Sequence, residues 1–155
     1  MTDSDESAGD VYGPKNVDRQ GIELNWFVMT PFVRYEPDTG EILEQGQMSF
    51  SAIKHLEQEN GWRYLREAGS SNTHYVDVSA ATVREKTACP AMLDGLTLRS
   101  LPQPCSIEIS NPIGAPTIYD MAAPEVALEF DHPGSYRVRI LSVSHLPGAF
   151  AVIAP

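Results

Sequence analysis

The stretch YEPDTGEILEQG, residues 35–46, decides how the first half of this chain is built. An apolar run, NWFVMTPFVRY (25–35), leads into it, and PDTG (37–40) has turn chemistry at every position. Proline presets φ for the second residue of a turn, an aspartate side chain bonds its own backbone, and glycine takes the positive φ. Ile42 and Leu43 then open a returning strand. The stretch predicts a β-hairpin in which FVRYE pairs with EILEQ. Pro31 removes a backbone donor, so the apolar run is expected as two strand pieces joined at the proline.

The same style recurs in HYVDVSAATVREK (74–86), a second expected hairpin with a looser turn at 79–81. The likeness is one of architecture, too short to count as an internal repeat. Between the two lies SFSAIKHLEQENG (49–61), where Phe50, Ile53 and Leu56 recur at helical spacing. Ser49 or Ser51 can cap the start and Asn60-Gly61 the end, so one short amphipathic helix is expected. WRYLREAG (62–69) reads as a strand and SSNT as a loop.

From Pro90 onward the pattern changes to short strands separated by turns. In PCSIEIS, Cys105, Ile107 and Ile109 alternate with Ser106, Glu108 and Ser110. In VALEFD, Val126, Leu128 and Phe130 share one side; in SYRVRI, Tyr136, Val138 and Ile140 point inward and Arg137 and Arg139 outward. AFAVIAP closes the chain as a last strand. Regular turns between alternating strands predict an antiparallel sandwich, small and immunoglobulin-like, and Tyr136 matches the tyrosine placement such sandwiches use near a late strand. The expected fold is mainly β (α+β): an acidic arm over 1–24, a module of β-hairpins with one short helix over 25–88, and the sandwich over 89–155.

Composition narrows the function. The chain of 155 residues is 42% hydrophobic, enough for a packed core, and carries a net charge of −10 from 21 acidic and 11 basic residues. That field repels a phosphate backbone, so no nucleic-acid partner is expected. No apolar window is long enough to span a bilayer, so no membrane insertion is expected. The start, MTDSDESAGD, is acidic where a secretory signal would be basic and then apolar, which predicts a cytoplasmic protein. Cys89 and Cys105 fit that compartment as buried thiols.

The residues offer little for chemistry. His55 and Glu59 are spaced to share a helix face, but a solvated face explains them more simply. His74 and Asp77 sit at odd separation on a strand and point to opposite faces. Asp131-His132 precedes the turn at Pro133-Gly134. CxxC, GxSxG, GxGxxG and the phosphate-cradling GxxxxGK[ST] are all missing from the sequence. No catalytic residue, metal or cofactor is assigned. Trp62, Tyr64 and Tyr75 offer stacking faces for a glycan, although core packing explains aromatics on strands. The apolar entry segment has two readings. Core packing is one. In the other, the polar arm and this run dock onto a partner, with Trp26, Phe27, Met29 and Phe32 as the partner-binding residues, because aromatics and methionine are enriched at interface cores.

In order along the chain stand YEPDTGEIL, THYVD, PAMLDGLTLRSLPQPCSIEIS and VALEFDHPGSYRVRI. In this combination, over residues 33–155, the chain resembles the small tail-associated proteins of tailed bacteriophages. The resemblance does not extend to the first thirty residues. It implies a non-enzymatic virion component near the tail tip, baseplate or fibres, made in the host cytoplasm and bridging neighbouring subunits. The partners so implied are other phage tail proteins, with several copies in a symmetric assembly. A tail-fibre assembly chaperone that leaves before maturation, or a host-glycan-binding module, are the alternatives.

Overall fold

The computed structural model describes residues 28–155. The arm expected over 1–24, and Trp26 and Phe27, lie outside them. Twelve strands and one helix make up the described chain, which is mainly β with antiparallel sheets.

The opening stretch folds as its turn chemistry predicts. Strand β1 (Met29–Tyr35) pairs antiparallel with β2 (Ile42–Ser49), with a register irregularity after Arg34. The Gly40 amide donates to the Glu36 carbonyl at 2.8 Å and the Glu36 amide to Glu41 at 2.9 Å, while Gly40 takes φ +79°. The expected break at Pro31 is absent. β1 runs through it, with Pro31 opposite Gln47. On the other side of β1, β3 (Arg63–Leu65) flanks only Val33 to Tyr35. The first half of β1 is thus paired on one side alone, the arrangement that tolerates a strand proline.

Helix α1 (Phe50–Asn60) has the predicted ends. Ser49 accepts from the Ala52 amide at 3.3 Å, and Gly61, at φ +65°, donates to the Glu57 carbonyl at 3.0 Å. WRYLREAG supplies only three strand residues, because its second half serves a different partner. Glu67 accepts from the Val83 amide at 2.9 Å and from the Thr82 hydroxyl at 3.2 Å. It thereby straps the sheet to the second hairpin, β4 (His74–Asp77) with β5 (Thr82–Glu85).

Phe32 and Val33 are adjacent and both buried, which a strand permits only when both of its faces are covered. Phe32 packs with Ile53 and Tyr64, beneath the helix. Val33 packs with Ile42 and Val76, beneath the second hairpin. The three-stranded sheet is therefore the middle layer of the first half.

The second half holds two sheets. One has the order β12-β11-β8-β9, from β8 (Cys105–Ser110), β9 (Thr117–Met121), β11 (Gly134–Ser142) and β12 (His145–Ala154). The other has the order β10-β7-β6, from β6 (Met92–Asp94), β7 (Thr97–Arg99) and β10 (Val126–Ala127). Leu98, Leu101, Cys105, Ile107, Leu128, Val138, Ile140 and Val152 form one core between them. Of the inward residues expected from PCSIEIS and SYRVRI, Cys105, Ile107, Val138 and Ile140 are in it, and Ile109 and Tyr136, partly buried, pack against it. VALEFD keeps its alternation, with Leu128 buried and Val126 and Phe130 packed against the core, yet only Val126 and Ala127 are paired. The last strand begins at His145, earlier than AFAVIAP indicates. Sequence patterning missed the β6–β7 hairpin and β9. The Asp94-Gly95 step, with Gly95 at φ +61° opening a two-residue loop, is the signal that marks the hairpin.

Thr87 joins the two halves. Its carbonyl accepts from the Leu146 amide at 2.8 Å, and its amide donates to the Ser144 carbonyl at 3.3 Å.

Candidate functional site

The structure separates the residues expected to bind a partner. Met29 stands at the exposed start of β1, opposite Ser49. Phe32 is buried, its ring 5.7 Å from that of Tyr64. Alternation along β1 explains the difference: three positions apart, the two side chains face opposite sides of the sheet, Phe32 towards α1 and Met29 on the Val33 side at the exposed end of the strand. Phe32 is thus a core residue, and Met29 alone of the described pair is free to touch a partner.

The aromatic residues considered for glycan stacking do not share one surface. Tyr64 is buried, and the Arg34 guanidinium lies 4.3 Å from the Trp62 ring centre while its Nε meets Glu44 at 3.0 Å. One face of Trp62 is therefore already occupied by a cation. The Tyr64 hydroxyl is enclosed without a hydrogen-bond partner among the described residues. Burial pushes its pKa up, the Glu44 carboxylate adds to the rise, and Arg34 opposes it. An unpaired buried hydroxyl costs free energy that a ring without it does not incur. Tyr64→Phe is therefore expected to stabilise the fold by about 1 kcal/mol. Urea unfolding of the two proteins side by side checks this, and a loss of stability would show that the hydroxyl has a partner.

The titratable residues sit in turns and on surfaces. His55 Nε2 meets Glu59 at 3.3 Å on an exposed helix face. His74 Nδ1 accepts from the Ser70 amide at 3.3 Å and lies 2.8 Å from the Thr73 hydroxyl, so it closes the loop ahead of β4. Asp77 accepts from the Ser79 hydroxyl at 2.7 Å, the Ala80 amide at 3.1 Å and Arg84 at 2.8 Å. The Ser79 bond, then the Ala80 bond, hold its carboxyl below the ordinary aspartate range. These bonds shape the second hairpin's turn. Cys89 and Cys105 are free thiols of the second core; burial, and then the Cys89 thiol, push the Cys105 pKa up. Among the described residues no group of three or more His, Cys, Asp and Glu side chains is placed to hold a metal ion. A cleft lined by Ser110, Asn111, Pro112, Ser135, Tyr136 and Arg137 opens to solvent beside the end of β8.

The surface feature with the strongest physical consequence is the β9 edge. Tyr119 pairs with the buried Ile107, which puts it on the inner face of the four-stranded sheet, yet it is 51% exposed. Ile118, on the outer face opposite Glu108, is 58% exposed, and Ile113 in the preceding loop is 87% exposed. β9 pairs with β8 through five successive residues without irregularity, and its far side meets no strand among the described residues. Its backbone donors and acceptors there form a template for another strand. Patterning missed this edge because TIYDM is short and flanked by Pro116 and Pro124, and its inner row is only half covered.

Compared with protein-family models, curated proteins and solved structures, the chain matches none.

Proposed function

We propose that this chain is a non-enzymatic structural component of a bacteriophage tail, at the tip, baseplate or fibre attachment, where it bridges neighbouring subunits. The open β9 edge carries this reading. A regular strand with apolar residues on both faces and a backbone row unpaired among the described residues invites another chain, and natural proteins blunt such edges unless they are used. The ordered motifs of residues 33–155, with their resemblance to tail-associated proteins, supply the setting. Within it the partners are other tail proteins, several copies of the chain are present, and its place is the virion tail.

The second half we read as a small immunoglobulin-like sandwich. Two antiparallel sheets share one core, and the Tyr136 hydroxyl donates to the His132 carbonyl at 3.0 Å, four residues upstream. Such a bond is the tyrosine corner of those sandwiches.

Quantitative mass spectrometry of gradient-purified particles tests the role. A fixed ratio to the major tail protein is the expected result, and the ratio reports the symmetry. Detection only in the infected-cell lysate would replace the structural role with that of an assembly chaperone.

A further inference from the structure

We infer that the cleft at the end of β8 binds a small hydroxylated carboxylate, of the class of sugar acids, through Arg137. The inference goes beyond the structural role proposed above and does not depend on it.

Arg137 differs from its neighbour in the same row. Ser135, Arg137 and Arg139 follow at a period of two on β11, on the face opposite the buried Val138 and Ile140. Arg139 stands opposite Glu108 on β8, and its guanidinium meets the Glu108 carboxylate at 3.0 Å. Arg137 stands opposite Ser110 on β8 and Ala151 on β12. Neither carries a charge, and both side chains are too short to cover the guanidinium. Among the described residues Arg137 has no ion-pair or hydrogen-bond partner. A positive charge is thus left uncompensated one rung away from a neutralised one.

The cleft supplies the remaining groups. It has a volume of about 340 Å³, and none of its lining side chains is a carboxylate. That volume lies at the lower end of the range for small-molecule clefts. Asn111 Oδ1 accepts from the Ile113 amide at 3.1 Å, which leaves the Asn111 side-chain NH2 as a donor. The hydroxyls of Ser110 and Ser135 have no hydrogen-bond partner among the described residues, and each can donate and accept. The Tyr136 hydroxyl already donates to the His132 carbonyl, so it keeps acceptor capacity alone. Pro112 adds an apolar ring to this polar wall.

These groups select the ligand. A planar carboxylate matches the guanidinium fork with two parallel hydrogen bonds. One guanidinium balances a monoanion. A phosphate carries nearly two negative charges near neutral pH, and it would meet the Glu108 carboxylate two residues along β8 in a chain of net charge −10. Hydroxyl groups beside the carboxylate would pair with Ser110, Ser135 and Asn111, which can serve them without any charge. A sugar acid offers both, together with a C–H face for Pro112.

The test titrates the full chain with glucuronate and follows its backbone amide resonances by NMR, with glucose and inorganic phosphate as comparison probes. Glucuronate is expected to shift the amides of Ser110, Asn111, Ser135 and Arg137. Glucose and phosphate are each expected to bind at least about tenfold more weakly, and Arg137→Gln to weaken glucuronate binding by at least about tenfold, the effect of losing a hydrogen-bonded charge. Ser110→Glu gives Arg137 the acid that Arg139 already has, and it is expected to close the cleft to glucuronate. Arg63→Gln removes an exposed arginine on β3, outside the cleft, and should bind as the parent does. Thermal unfolding confirms equal folding of the three variants. No shift with glucuronate, shifts confined to residues away from the cleft, or binding kept in Arg137→Gln or Ser110→Glu would each overturn the site. Phosphate or glucose bound as tightly as glucuronate would overturn the carboxylate assignment. Binding lost equally in Arg63→Gln would also overturn it, because net charge alone would then explain the effect. Presence in purified particles is measured separately, so the tail role stands or falls without this result.

Discussion

Gly40→Val is expected to destabilise the first half by about 4 kcal/mol, the sum of a strained backbone at about 1–3 and forced displacement of packed atoms at about 1–3. Gly40 ends the PDTG turn at φ +79°, a conformation that β-branched residues resist. Its carbonyl also accepts from the Val76 amide at 2.8 Å, so the hairpin tip is built into strand β4. A Cβ at this position would run into the Val76 carbonyl oxygen, which is backbone and cannot rotate away. Gly61 supplies the comparison. It has φ +65° and nothing within 4 Å of a built Cβ, so Gly61→Ala is expected to lose only about 1 kcal/mol. Denaturant unfolding of both variants measures the difference. If Gly40→Val were no worse than Gly61→Ala, the contact between the first turn and β4 would not exist in solution. Hydrogen exchange adds a second reading: Val76 and its neighbours should lose protection, because the tip holds them in place.

Leu98→Ala is expected to cost about 2–5 kcal/mol, the range for deleting most of a buried leucine. Leu98 is 0% exposed at the centre of the small sheet, paired on one side with Val126 and on the other with Leu93. It is the fully buried side chain by which that short sheet packs on the four-stranded one, alongside Val138 and Ile140. Strands of two and three residues have few ladder bonds of their own, so side-chain burial holds them. Met92, exposed at the rim of the same sheet, is the control, and Met92→Ala should stay within about 0.5 kcal/mol of the parent. Calorimetric melting of the three proteins decides the matter. An equal melting point for Leu98→Ala would mean that the two sheets do not share a core.

Where the signal lay in neighbouring residues, the chain's architecture was legible before folding was considered. PDTG named its own turn, and Ser49 and Gly61 named both ends of the helix. Cys105, Ile107, Val138 and Ile140 named an inner face through their period of two. Each inference draws on residues within a few positions of one another, which is the range over which φ, ψ and side-chain direction are set by sterics. Errors arose where distant segments decide. Pro31 looks like a break until β3 is found to flank only the later half of β1. Phe32 carries two readings, core and docking, until α1 is found to cover it, and Glu67 looks like a strand residue until it binds the backbone of β5.

The sequence by itself determined a mainly β chain with one capped helix, two early hairpins and an alternating second half. Only the tertiary structure decided that Phe32 and Val33 belong to opposite cores, that Gly40 meets Val76, and that β9 ends its sheet with Tyr119 half uncovered. The reason is physical. Turn and strand preferences are local energies, written wherever the residues stand, whereas burial and edge position depend on which segments the folded chain brings side by side.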